Sequence, residues 1–322
     1  MNFARLRIFW SWGVFLFYSL GKTKGEIFLI LSTQSDYFFS KFGDEKGLEI
    51  ISSAGFDAVD ISLFHKLDES PFYMSGVVFE NYARKIRQKA ANCGVFFNQA
   101  HAPFPSYKAD NEDYNTCIIP KIQRAIEVSG ILGVKTVCVH PVTFRNNEQK
   151  QIEFNLDFYS RLAPIAKKSG VKIGVENMFW RDKTAGCIRP GVCGTSEQMI
   201  KLFDALDPDV FTCLVDVGHC GLAGEKPEDF IRAVGGKRLG ALHVHDNNFK
   251  DDQHTAPFTR SINWNEVTKA LADIDYSGQF TFESDNFFYT NMPEDFAFEG
   301  LKFLEKIGRQ LISMIEAHKS EK

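Results

Sequence analysis

The chain holds 322 residues, 44% of them hydrophobic and 24% charged, which excludes collagenous, disordered and coiled-coil classes. Lys and Arg total 37 against 41 Asp and Glu, a formal net charge of −4; a nucleic-acid footprint, usually built on a basic patch, is therefore not expected. A chain of this length buries roughly three quarters of its unfolded surface, so it needs neither disulfides nor a structural metal to fold. The seven cysteines (Cys93, Cys117, Cys138, Cys187, Cys193, Cys213 and Cys220) are odd in number and include no Cys-x-x-Cys pair. That usage points to a reducing compartment, with a cytoplasmic location as the expectation.

Residues 1–24 differ from the rest. Arg5 and Arg7 precede an apolar stretch over 8–20, too short to span ~30 Å of hydrocarbon as a helix. Its length suits a signal-peptide core, yet no small-x-small cleavage site follows. A membrane-proximal anchor, an atypical signal and an extension ahead of the natural start compete. The extension is preferred, because the folded pattern opens at Ile27, and no stable membrane insertion is expected.

From there short apolar runs alternate with amphipathic stretches. Strands are expected at 27–31, 57–61, 95–99, 136–140, 172–176, 212–216, 242–245 and 279–283, short and mostly β-branched or aromatic as buried parallel strands are. Helices are expected at 78–93, 115–132, 197–206 and 294–317, where apolar residues recur three and four apart. Gly94, Gly133 and Gly170 each precede a valine, a helix stop followed by a strand start. Thr195 and Ser196 supply an N-cap. Eight such repeats over 25–322 predict an α/β fold, a single-domain (β/α)8 TIM barrel behind an N-terminal apolar extension. The rival doubly wound sheet lacks its nucleotide fingerprints.

Ionisable residues cluster at the predicted strand ends. His101 follows the third strand, His140 ends the fourth, His219 follows the sixth, and His243, His245 and His254 surround the seventh. Glu176, Asp216 and Glu283 end three others. A barrel brings all strand C-termini to one face. Several carboxylates gathered there repel one another and are costly to bury unless paired or bound to a cation. Imidazole with carboxylate suits Mn²⁺, Zn²⁺, Co²⁺ or Fe²⁺. Tyr37, Phe38, Phe104 and Trp180 are candidate pocket walls, and Arg181, Lys250 and Arg260 candidate phosphate holders.

His101–Ala–Pro–Phe, Val139–His–Pro, Val175–Glu–Asn, Asp216–Val–Gly–His, His243–Val–His–Asp–Asn followed by Asp252–Gln–His254, and Phe282–Glu–Ser occur in that order. Together they resemble the xylose isomerase-like barrel superfamily, over about residues 27–315. That superfamily contains sugar and sugar-phosphate isomerases and epimerases and the apurinic endonuclease IV family. The resemblance implies a one-metal shell of Glu176, Asp216, His243 and Glu283, with one divalent ion, Mn²⁺ first and Zn²⁺, Co²⁺ or Mg²⁺ as alternatives. It implies catalytic roles for Glu176 and Glu283, which would move a substrate proton through an enediolate. His101, His140, His219, His245, Asp252 and His254 fall to substrate binding or a second metal shell. In the endonuclease branch a trinuclear zinc site would add His101, His140, His219, Asp252 and His254 as ligands. Where related isomerases show Pro-Gly-x-Gly-x-Ile-Asp-Trp, residues 257–264 carry neither glycine.

The expected activity is that of a metal-dependent isomerase or epimerase acting on a small sugar or sugar phosphate, with homo-oligomers left open. The alternatives are the apurinic endonuclease, a dehydratase or hydrolase of a sugar or cyclitol, and a catalytically silent binder. The silent binder should have lost a shell residue, and none is lost.

Overall fold

The structure, a computed structural model, describes residues 29–145, 147–284 and 292–322. The predicted extension over 1–24 and the first residues of the expected strand 27–31 lie outside them. In chain order the strands are β1 (Ile30–Gln34), β2 (Ala58–Ser62), β3 (Phe96–His101), β4 (Thr136–Cys138), β5 (Lys172–Glu176), β6 (Phe179–Asp182), β7 (Cys187–Pro190), β8 (Phe211–Asp216), β9 (Leu239–Val244) and β10 (Gln279–Phe282). All but β6 and β7 join in one closed barrel, in the order β1-β10-β9-β8-β5-β4-β3-β2. Their pairings are all parallel. The fold is therefore a (β/α)8 barrel, as the alternation predicts. Among the described residues no helix is long and apolar enough to cross a membrane.

The helices form where the apolar spacing places them, at Val77–Cys93, Glu112–Leu132, Ser196–Phe203 and Glu294–Ser320. Gly94, Gly133 and Gly170 take φ of +81°, +83° and +69°, the left-handed cap that lacks a Cβ penalty only in glycine. Thr195 accepts from the Gln198 amide, closing the cap expected there. Phe38, expected at the pocket, is only 2% exposed and belongs to the apolar layer between barrel and helices. Its helix, Asp36–Phe42, lays that face inward.

Most strand boundaries shift by one to three residues. The first strand runs to Gln34 because Ser32 and Gln34, polar and outside the expected run, face a polar barrel interior, with Thr33 between them on the opposite face. The fourth stops at Cys138, before His140, and the seventh opens earlier, at Leu239. An antiparallel hairpin of β6 and β7 is inserted after β5, unforeseen from the sequence.

The interior is wetter in composition than an ordinary core. Ser32 Oγ lies 2.8 Å from Thr281 Oγ1, Asn98 donates to Ser32 Oγ at 2.9 Å, and Thr281 donates to Gln99 Oε1 at 3.3 Å. Buried polar side chains are tolerated when such partners are supplied. Outside, Gly308 of the C-terminal helix sits where an added Cβ would lie 2.5 Å from Leu31 and 2.7 Å from Phe282. That contact lets the helix lie directly on β1 and β10. Helix propensity alone credits Gly308→Ala with about 1 kcal/mol of stability; overpacking costs about 1–3 kcal/mol. We expect a net loss, seen as a lower urea midpoint with unchanged slope.

Candidate metal centre

Each functional side chain comes from the C-terminal end of a barrel strand or the loop beyond it. Glu176 closes β5 and Asp216 closes β8, and Asp216 pairs in register with His243 on β9. Glu283 follows β10, its amide donating to the Val244 carbonyl at 3.1 Å. Strand register therefore draws residues more than a hundred positions apart into one cavity.

Their ligand atoms form three groups, each within 4.8 Å: Glu176, Asp216, His243 and Glu283; His101, Cys138, His140 and Glu176; and His219, His245, Asp252 and His254. All ten residues singled out from the sequence fall in these groups. At the centre His243 Nδ1 lies 2.8 Å from Glu176 Oε1 and 3.0 Å from Glu283 Oε2. The other Glu176 oxygen, Oε2, lies 2.7 Å from His140 Nε2 and accepts from the Cys138 thiol at 3.4 Å. His245 Nε2 contacts both Asp216 oxygens, at 2.9 and 3.1 Å. His254 Nε2 lies 3.0 Å from Asp252 Oδ2.

Several imidazoles are oriented from behind. His219 Nδ1 lies 2.9 Å from the Asn177 carbonyl and His254 Nδ1 2.8 Å from the Glu283 carbonyl. A carbonyl only accepts, so Nδ1 carries the hydrogen and Nε2 is turned toward the carboxylates. This is how the far nitrogen of a metal-ligating histidine is usually held. Gly218 allows the His245 ring to pack close, for a Cβ there would lie 2.1 Å from its Cε1.

Charge follows from this packing. Burial would raise the Glu176 carboxyl, but His243 and His140 outweigh it and hold it well below the usual carboxylate range. Burial likewise works to raise the Glu283 carboxyl, and His243 and His254 overcome it and hold the group below the usual carboxylate range. His219 and His243 resist desolvation through neighbouring carboxylates and are held well above the ordinary imidazole value; His254 is raised to about 10. His101 goes the other way, pushed down to about 4 by burial and by His140, and is neutral near pH 7. Asp60, buried inside β2, is raised to about 7, chiefly by desolvation.

The donor set fits a divalent cation. Oxygen and imidazole nitrogen are mixed as Mn²⁺, Zn²⁺ and Co²⁺ favour. Asp60 Oδ1, Asp252 Oδ1 and His245 Nδ1 are buried without a hydrogen-bond partner, an expensive condition for polar atoms unless something else satisfies them.

Around the cavity, Phe104 lies 5.1 Å from the His101 ring and 4.9 Å from that of His140, while Phe179 on the hairpin lies 5.0 Å from His219. Trp180 sits under Arg145 at 5.0 Å. Arg181, expected as a phosphate holder, instead reaches Asp251 at 3.0 Å and ties the hairpin to the loop after β9. Lys250 lies in that same exposed loop and Arg260 in the segment beyond it. Tyr37 is half-buried and packs against the apolar core. The loop without glycines is held by Asp246, whose carboxylate accepts from the Arg260 and Ile262 amides and the Trp264 indole at 3.0–3.1 Å. Phe258 takes the left-handed conformation there, φ +70°.

Sequence reasoning missed Asp60, Cys138 and Gln34. Asp60 interrupts the apolar run Ala58–Ser62, a polar break that was legible. Gln34, donating to Glu283 Oε1 at 2.9 Å, lies beyond the expected strand end.

The fold and site define a class. The chain matches the family model for the xylose isomerase-like TIM barrel over residues 48–307, and it belongs to that family. Among curated proteins it is 31% identical over 196 residues to an uncharacterized protein of Methanocaldococcus jannaschii, covering 58% of this chain and 64% of that one. It is 24% identical over 250 residues to the D-psicose 3-epimerase of Enterocloster bolteae, covering 74% and 76%. The first two curated relatives are matched over only 64% and 51% of their lengths. A solved D-tagatose 3-epimerase-like protein superposes with a TM-score of 0.69 at 24% identity, over 90% of this chain and 99% of that one.

Metal ligation needs imidazoles without their second proton, so binding must displace the protons that the carboxylates hold on His219, His243 and His254. Affinity should fall as the solution is acidified. We expect calorimetry in buffers of different ionisation heat to show proton release, with affinity rising at least ~tenfold from about pH 6 to about pH 8. A pH-independent affinity would contradict this geometry.

Proposed function

We propose that the protein is a divalent-metal-dependent isomerase or epimerase of a small sugar or sugar phosphate, working in the cytoplasm. The supporting observation is the pair of glutamates either side of His243. Glu176 and Glu283 are 1% and 12% exposed, and both are ionised at neutral pH for the reasons given above. A carboxylate in that state can take a proton; its partner can return one after taking a proton from water, and the first then releases its own to water.

Glu176, Asp216, His243 and Glu283 would hold the ion. It would supply a Lewis-acid charge at the substrate's carbonyl and hydroxyl oxygens. Glu176 or Glu283 would remove the hydrogen from the carbon beside the carbonyl, and the other would deliver a proton. Delivery to the opposite face of that carbon gives epimerisation, and delivery to the neighbouring carbon gives isomerisation. Gln34 fixes one Glu283 oxygen, leaving the other directed at His243. Neutral His101, whose Nδ1 donates to the Ala102 carbonyl at 3.1 Å, can accept from a sugar hydroxyl through Nε2. Phe104, 44% exposed beside it, offers an apolar face to the C–H side of a sugar.

One observation favours a second reading. The three ligand groups adjoin, and Glu176 belongs to two of them, the composition of a three-metal centre such as the endonuclease branch carries. Elemental analysis separates the readings: one ion per chain supports the isomerase, and three zinc ions with cleavage of abasic DNA support the endonuclease.

For the isomerase, Glu283→Gln keeps shape and removes the proton acceptor. Exchange of the substrate's α-hydrogen in D₂O, followed by NMR on a panel of ketoses, should drop at least ~10²-fold while metal stays bound. Undiminished exchange would remove Glu283 from this role. Chelation should abolish turnover of the unsubstituted protein, and added Mn²⁺ should restore it.

A further inference from the structure

A second cavity lies at the opposite end of the barrel, where the loops entering β4, β5, β8, β9 and β10 meet. Its volume is about 660 Å³, within the ordinary range for a small-molecule site. Four lysines line it, Lys135, Lys167, Lys172 and Lys237, against a single acid, Asp209. Two of the four are engaged: Lys167 with Asp207 at 2.8 Å, and Lys172 as donor to the Pro208 carbonyl at 2.7 Å. The ammonium groups of Lys135 and Lys237 have no ion-pair partner among the described residues. Thr136, also in the lining, accepts from Gln279 at 3.1 Å and keeps its own hydroxyl hydrogen to give.

The distribution is unusual for a chain of net charge −4. Ammonium groups converging on one concavity repel each other, and low-dielectric walls concentrate their field. An oxyanion relieves that repulsion, and lysine serves it as a mobile point charge. Lys135 and Lys237 come from the loops entering β4 and β9, Lys167 from the helix Glu148–Ser169 and Lys172 from the first position of β5, so the fold and not a charged run in the sequence brings them to one cavity.

We infer that this cavity is a binding site for a phosphate-bearing small molecule, separate from the carboxylate–histidine centre and independent of the function proposed for it. Lys135 and Lys237 would contact the phosphate oxygens, with Thr136 as a neutral donor beside them. The cavity's size favours a phosphorylated metabolite over a polymer lying across the surface.

Metal-stripped full-length protein, kept in chelator so that the other centre cannot capture the anion, is titrated with inorganic pyrophosphate in a calorimeter. One saturable event is expected, weakened at least ~tenfold in Lys135→Ala/Lys237→Ala and unchanged in a control pair of exposed lysines elsewhere, Lys183→Ala/Lys306→Ala. Thermal melting checks folding, with Lys135→Gln/Lys237→Gln replacing the alanine pair should that pair melt early. Absent binding, or equal affinity in all three proteins, overturns the inference. Turnover of a sugar by the metal-loaded protein reads the other centre alone, so the two proposals fail separately.

Discussion

Negative charge held inside the mouth of the barrel is the constraint on which the rest depends. Asp60 and Asp216 are fully buried, and Glu176 nearly so. Removing one such carboxylate from water costs several kcal/mol unless it is compensated. The protein answers with imidazoles: His140 and His243 on Glu176, His245 on Asp216, His254 on Asp252. An imidazole can shed its proton and turn a lone pair outward, so these partners can give way to a cation that binds the same oxygens more strongly. An arrangement built only for stability would be expected to use arginine or lysine, whose charge is permanent.

The closed barrel makes that density achievable. Parallel register aligns Asp216 with His243, and the polar interior below them, Ser32, Asn98, Gln99 and Thr281, gives the buried acids a hydrogen-bonded floor in place of an oily one. The loop above depends on Asp246, which gathers two amides and an indole. This side chain takes over the shaping that paired glycines would otherwise perform. It accounts for how Phe258 is carried in a conformation normally left to residues without a Cβ.

The barrel was legible because buried parallel strands and amphipathic helices leave different periods in the sequence, and because glycines mark the joints. Nine of the ten ionisable residues were legible because they sit at or just beyond the ends of apolar runs; Asp252 came only with the family resemblance. What escaped was anything set by facing rather than by order. Phe38 reads like a rim aromatic until its helix is seen to turn inward. Gln34 and Cys138 bear on the site through strand neighbours unrelated to them in sequence. Arg181 has the chemistry of a phosphate holder, but a charge seventy residues away, on Asp251, claims it. The β6–β7 hairpin lacks the alternation of a core strand because it leaves the barrel altogether, and its four-residue strands lie half in solvent.

Glu176 divides its two oxygens between different neighbourhoods, Oε1 toward His243 and Oε2 toward His140 and Cys138. A single carboxylate is thus the hinge-pin shared by two adjoining coordination spheres. Neither sphere can be reshaped over evolutionary time without disturbing its companion. Diversification among proteins built this way is therefore channelled outward, to the walls and straps that surround an almost immovable pivot.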